Sequence, residues 1–168
     1  YVQAASPFEG VWVGSGTGES SRVGQFNPSC PFEAKIELDE RKLRIPYLYY
    51  RCGTLFGHEG TEMDVVAGDV THRGVKIGSV RGERIHLAAT SRLDNGSVMS
   101  VSIDLEIREG KLFVSESINQ LAADGPSWLH FRGALARSSS LQAESENETW
   151  ESPFEIMGGI AGFLPGSS

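Results

Sequence analysis

Apolar and polar residues alternate with a period of two along most of this chain, and this pattern constrains the fold more than any other sequence feature. In the clearest stretch, small or acidic residues separate a series of apolar ones, namely Met99, Val101, Ile103, Leu105 and Ile107. Successive side chains of a β-strand point to opposite faces, so this alternation predicts a strand with one buried and one solvated face. Apolar spacing typical of an amphipathic helix is nearly absent.

Turn signals such as Asn95-Gly96 separate the strand-like segments, which are residues 10–18, 32–38, 43–49, 62–67, 74–80, 84–91, 99–107, 112–118 and 128–136. The short connections imply antiparallel neighbours. An open sheet of this many strands would leave two edges exposed, whereas a closed sheet leaves none. The predicted fold is all-β, a single antiparallel up-and-down β-barrel of about eight to ten strands with an irregular C-terminal tail.

The 168 residues fit one main domain, and the composition changes near its end. We predict a barrel domain over residues 1–137 and a polar linker with an apolar tail over residues 138–168. That last segment is either a loosely docked terminus or an apolar element that covers a barrel mouth or meets a protein partner. No apolar stretch approaches the roughly 20 residues of a transmembrane helix. The formal charge of −7 argues against nucleic acid as a partner.

Two cysteines, Cys30 and Cys52, lie at the ends of predicted strands, where a cross-link between hairpin partners is geometrically easy. A disulfide is the favoured interpretation, and two buried reduced thiols are the alternative. A disulfide implies an oxidising compartment, so we expect a secreted or periplasmic protein. Neither cysteine belongs to a C-x-x-C pair or lies near a histidine pair, and we expect no metal site.

Catalytic sequence motifs are absent, and no catalytic residue is assigned. The four histidines, His58, His72, His86 and His130, show no metal-ligand spacing with one another. The glycines of residues 14–18 alternate within a strand-like segment without a following helix, which favours close backbone approach over a phosphate loop. Whether the chain is an enzyme is uncertain, and a non-enzyme is the favoured interpretation.

Three stretches resemble known barrels. Residues 10–18, Gly-Val-Trp-Val-Gly-Ser-Gly-Thr-Gly, resemble the opening G-x-W strand of the calycin superfamily, which includes the lipocalins, and look most like the nitrobindin group of haem-binding barrels. Residues 105–112 and 130–137 are similar to a late hairpin and to the closing strand of that group. The resemblance implies that Trp12 crosses the closed barrel end and that His130 is a candidate haem ligand. Strand alternation, in contrast, places His130 opposite the more apolar face of Leu129 and Phe131.

An eight-to-ten-stranded barrel either fills its lumen with side chains or holds one small ligand. Our leading hypothesis is an extracytoplasmic protein that binds a small apolar molecule, such as a lipid, pigment or tetrapyrrole. The cofactor is unknown, and haem is one option. The predicted ligand-binding residues are Trp12, Phe32, Tyr47, Tyr49, Phe113, Trp128 and His130. The alternative is a filled barrel that binds a protein through its surface or tail, as an inhibitor or envelope-assembly factor. An enzyme acting in the lumen is a third hypothesis.

Overall fold

The computed structural model describes residues 6–22 and 24–138, without the side chains of residues 25–28. The described chain forms ten strands: β1 (Gly10–Ser20), β2 (Gly24–Leu38), β3 (Lys42–Cys52), β4 (Thr54–Val66), β5 (Asp69–His72), β6 (Val75–Arg81), β7 (Arg84–Arg92), β8 (Val98–Arg108), β9 (Lys111–Ala122) and β10 (Gly125–Ser138). Each strand pairs with the next, and β10 pairs antiparallel with β1 to close the barrel. The predicted all-β up-and-down barrel is confirmed. The predicted linker and tail lie outside the described residues after Ser138.

One end of the barrel is closed by the segment that precedes β1. Trp12 is fully buried there, and its indole Nε1 donates a hydrogen bond to the Phe8 carbonyl at 2.9 Å. The Arg137 guanidinium lies 4.4 Å from the centre of the Trp12 ring and donates to the Pro7 carbonyl at 2.7 Å. This end, called the Trp12 end below, is where the G-x-W resemblance places the tryptophan.

The predicted alternation holds well in β8 and β9. All five predicted apolar positions of β8 are buried, and the intervening side chains are partly exposed. β9 alternates in the same way, with Leu112, Val114 and Ile118 buried toward the lumen. The hydrophobic core is therefore the barrel interior. The described residues contain no helix with the length and hydropathy needed to cross a bilayer.

β3 departs from simple alternation at Pro46. Leu43 and Ile45 are buried toward the lumen, but Leu48 and Tyr50 take the inward positions beyond Pro46. The pairing with β2 explains this change, because Lys35 pairs with Tyr47 while Glu37 pairs with Arg44. One residue of β2 thus faces two residues of β3, which is a β-bulge. A proline is tolerated at such a position because the ladder is already interrupted.

In β4 the side chains that face the lumen also switch between odd-numbered and even-numbered positions, and we call this switch the change of phase. β4 stays in register with β3, and Gly60, whose φ is +62°, lies opposite Pro46. Thr61 is buried on one side of this point and His58 on the other. β4 also begins at Thr54, earlier than the predicted start at residue 62, because the change of phase interrupts the pattern used for prediction.

The end of the barrel opposite the Trp12 end carries a disulfide between Cys30 and Cys52, as predicted. The two residues follow the Phe32–Tyr50 pair in the β2–β3 ladder, and both are buried. The disulfide joins neighbouring strands whose Cα atoms lie 4.9 Å apart. We call this end of the barrel the disulfide end.

Loss of this disulfide is expected to destabilise the protein. Cross-linking residues 22 positions apart restricts the unfolded chain and contributes about 3 kcal/mol on the chain-entropy estimate. The Cys30→Ser/Cys52→Ser double variant should therefore unfold at a lower urea concentration. Wild-type protein unfolded in excess dithiothreitol is the control and should lose a similar free energy of unfolding. Unchanged stability in both samples contradicts the prediction.

Candidate functional site

Three polar side chains meet inside the otherwise apolar barrel. The Tyr50 hydroxyl donates a hydrogen bond to Glu116 Oε1 at 2.6 Å, and His58 Nε2 lies 2.6 Å from Glu116 Oε2. Tyr50 is fully buried, and the exposed fractions of Glu116 and His58 are 1% and 4%. We call Tyr50, His58 and Glu116 the lumen cluster.

The change of phase at Pro46 and Gly60 brings two members of the lumen cluster inward. Without it, Tyr50 and His58 would point to the outer wall of the barrel, since side chains alternate along a strand. Glu116 reaches the lumen by plain alternation, two residues after the buried Val114 on β9. Its neighbours in the ladder are Ile103 on β8 and Phe131 on β10.

Aromatic rings surround the lumen cluster. The Tyr50 ring stacks on Phe131 with centroids 4.4 Å apart and meets Phe32 edge-on at 4.7 Å. Phe56 lies 5.2 Å from Phe131. Gly18 allows this packing, because a Cβ atom there would come within 3.0 Å of both Phe131 and the Cys52 sulfur. The cluster therefore lies in an apolar, tightly packed environment in the middle of the barrel.

Burial raises the pKa of the Tyr50 hydroxyl well above its usual range, and the nearby Glu116 carboxylate reinforces this effect. A neutral Tyr50 remains a hydrogen-bond donor to Glu116. Taking a carboxylate and an imidazole out of water is costly, and well-packed apolar residues are often as stabilising as a buried ion pair. A polar cluster at such a place is therefore more typical of a functional site than of a core that serves stability alone.

Between the cluster and the disulfide end, some inward-facing residues are partly exposed, although Cys30 and Cys52 are buried. Along β9, Ile118 and Gln120 follow Glu116 on the inward face, and Leu129 pairs with Ile118. Gln120 and Leu129 are partly exposed, as is Ser91, which pairs with the inward Met99. At the Trp12 end, in contrast, Trp12 and Phe8 are fully buried.

The residues predicted to line the lumen divide into two groups. Trp12 and Phe32 face the interior, as expected. The ladder pairs Tyr49 with Glu33 and Tyr47 with Lys35, which places both tyrosines on the outer wall, stacked 5.1 Å apart. The prediction that they line the lumen is therefore wrong, because the bulge at Pro46 reverses the alternation from which it was made.

Phe113, Trp128 and His130 also lie on the outer wall, so the prediction that they line the lumen is wrong for them as well. Phe113 alternates with the inward Leu112 and Val114, and the Arg108 guanidinium covers its ring at 3.9 Å. Trp128 and His130 flank the inward Leu129 and stack on each other at 4.4 Å. Aromatic character suggests the lumen for Phe113 and Trp128, and the resemblance suggests it for His130, although period two assigns all three residues to the opposite face.

The haem implied by the nitrobindin resemblance does not fit this arrangement. His130, the candidate iron ligand, points away from the lumen and stacks on Trp128. Apart from haem, the described residues contain no group of three or more His, Cys, Asp and Glu side chains that could hold a metal ion directly. We therefore assign no step to haem.

The sequence contained one usable signal for the lumen cluster. Glu116 occupies an inward position among Leu112, Val114 and Ile118, and a carboxylate at an apolar-face position is unusual. His58 and Tyr50 gave no such signal, because their inward orientation depends on the bulge.

The buried Tyr50 predicts a loss of stability in alkali. The native state holds the phenol proton more tightly than the unfolded chain, whose tyrosine pKa is about 10. The stabilising contribution is thus complete below about pH 10 and declines at higher pH, by up to about 1.4 kcal/mol per pH unit.

Urea unfolding measured from pH 8 to 11.5 tests this expectation. The wild-type free energy of unfolding should decline more steeply above pH 10 than that of Tyr50→Phe. Tyr49, whose pKa is also raised by burial and by Glu59, continues to contribute in the variant. Equal slopes for the two proteins contradict the burial of a neutral Tyr50.

Comparison with known proteins does not assign this barrel to a family. No protein-family model, no curated protein and no solved structure matches this chain. The closed antiparallel ten-stranded barrel is compatible with a calycin-like fold, but no homologue connects it to that superfamily. The function therefore has to be argued from the residues of this chain.

Proposed function

We propose that this protein binds a small, largely apolar molecule in the half of the lumen next to the disulfide end. The observation that carries the proposal is the lumen cluster, a buried Tyr–Glu–His network in an apolar barrel. Ligand sites in proteins are mostly apolar with a few well-placed polar groups, and this half of the lumen has that composition.

The side chains of this region suggest the class of ligand. Phe56, Ile118 and Leu129 supply apolar surface, and Glu116 supplies a carboxylate that attracts a hydroxyl or amine. A molecule with an apolar body and one hydrogen-bond donor would meet both features. Lipid alcohols and pigments have this form, and so does a tetrapyrrole held without His130.

The disulfide favours a location in an oxidising compartment. We propose that the protein acts outside the cytoplasm, as a secreted or periplasmic binding protein.

The packed middle of the barrel favours a second candidate function. Phe32, Tyr50 and Phe131 are at most 1% exposed, so their side chains occupy the lumen around the cluster. A barrel filled in this way acts through its outer surface, as an interaction module. The two candidates differ in one measurable property, which is saturable binding of small apolar molecules.

A bulky side chain at the disulfide end of the lumen should block ligand entry. Gln120 faces inward and is partly exposed, whereas its neighbour Asn119 faces outward and is exposed. We expect Gln120→Trp to weaken binding of retinol or cis-parinaric acid at least about tenfold, and Asn119→Trp to change it less than about twofold. Fluorescence titration measures both affinities. No saturable binding of either probe to the wild-type protein contradicts the ligand-binding proposal and favours the surface-acting barrel.

The lumen cluster should recognise the polar group of the ligand. A hydrogen bond to a buried charged group contributes about 1.5–3 kcal/mol, so retinol should bind at least about tenfold more tightly than retinyl acetate, which has no donor. Glu116→Gln should remove most of this difference. If the affinity ratio is the same in wild type and variant, the probe binds away from Glu116.

A further inference from the structure

Part of the outer wall formed by β1, β2 and β3 is buried. Val11 pairs with Lys35, and Lys35 pairs with Tyr47, so these three side chains form one row across the wall. Glu33 and Tyr49 pair in the next row. Val11 and Glu33 are 3% exposed, Tyr47 is 6% exposed and Tyr49 is 5% exposed. We call Val11, Glu33, Tyr47 and Tyr49 the covered wall.

The described strands do not explain this burial. All ten belong to the barrel itself, so none of them lies over its outer surface. Other aromatic rings on the outer wall stay partly exposed: Trp128 and His130 do so although they stack, and Phe113 does so under the Arg108 guanidinium. The two stacked tyrosines of the covered wall would keep a similar exposed fraction if nothing lay over them.

The carboxylate of Glu33 shows the same departure. It pairs with the Arg51 guanidinium at 2.9 Å, and its side chain is only 5% exposed. Glu37, on the same face of β2, is partly exposed. Glu33, Tyr47, Tyr49 and Arg51 each make further polar, electrostatic or ring interactions. Such burial of a charged group on the outside of a barrel is expected where a further segment packs on the wall.

We infer that the C-terminal segment after Ser138 docks on the covered wall, so that the chain covers part of its own barrel. β10 ends at Ser138, which pairs with Val11 at the border of the covered wall. Tyr47 lies two strands beyond Val11, about 10 Å away at the usual strand spacing. Residues 139–168 are long enough to cross this distance several times.

The composition of residues 139–168 matches the covered wall. The rings of Trp150, Phe154 and Phe163 can pack on the two tyrosines and bury them. All charged residues of this segment are glutamates, which suits a wall that also presents Lys35 and Arg51.

Residues 1–5 fit the covered wall less well. The Leu38 N–H donates to Glu9 Oε1 at 2.8 Å, and Leu38 pairs with Leu43, so the chain before β1 lies at this level of the barrel. Tyr49 is six residues further along β3, about 20 Å at 3.3 Å per residue. Residues 1–5 span at most about 18 Å when fully extended, which ends short of Tyr49.

A photo-crosslink in the full chain identifies the segment that covers the wall. Lys35 is partly exposed between Val11 and Tyr47, so a bulky label should be tolerated there. Trypsin releases residues 138–168 as one peptide, because they contain no Lys or Arg. After irradiation at low protein concentration, Lys35→p-benzoylphenylalanine should crosslink to this peptide within one chain. The same label at Phe113, on the outer wall of β9, should not.

The other outcomes of this experiment overturn the inference. A crosslink to the tryptic peptide that contains residues 1–5 assigns the cover to the chain before β1. A crosslink that joins two chains assigns it to a second copy. No crosslink to residues 138–168 leaves the covered wall without this segment.

Hydroxyl-radical footprinting tests the same contact without a label on the wall. Trp150→Ser/Phe154→Ser/Phe163→Ser removes the rings of the segment and leaves the barrel sequence unchanged. Oxidation of the two tyrosines of the covered wall should then become at least about fivefold faster, because the apolar burial that holds the segment is lost. Oxidation of Phe113 should stay unchanged, and Gln142→Ser should alter neither rate. Equal tyrosine rates in the triple variant and the wild type overturn the inference.

Discussion

The bulge at Pro46 decides what the barrel holds in its interior. One extra residue in β3 opposite β2 reverses which side chains face the lumen, and β4 follows because it stays in register with β3. Tyr47 and Tyr49 leave the interior, and Tyr50 and His58 enter it. Without the bulge, Glu116 would lie buried without these two partners, and a buried carboxylate without partners is strongly destabilising.

The disulfide and the aromatic rings hold this arrangement in place. Cys30 and Cys52 join β2 and β3 just beyond the pair formed by Phe32 and Tyr50. Tyr50 is then packed between Phe32 and Phe131, which directs its hydroxyl toward Glu116. The same set of contacts thus stabilises the barrel wall and positions the lumen cluster, so a change in either is expected to affect the other.

The two ends of the barrel differ in a way that bears on the proposed ligand site. Trp12, Phe8 and Arg137 close one end, whereas Gln120 and Leu129 remain partly exposed toward the other.

The sequence by itself determined the fold class and most of the core, and it favoured the disulfide over two reduced thiols. Period-two alternation fixes the inward face of a strand as long as the ladder is regular, and β8 and β9 follow it throughout. The same reasoning identifies Glu116, because it is a carboxylate on an apolar face. The tertiary structure alone decided the partners of Glu116 and the outer position of Tyr47 and Tyr49. Both depend on the register between β2 and β3, and a single residue inserted opposite a neighbouring strand leaves no local trace in the alternation until the two strands are paired.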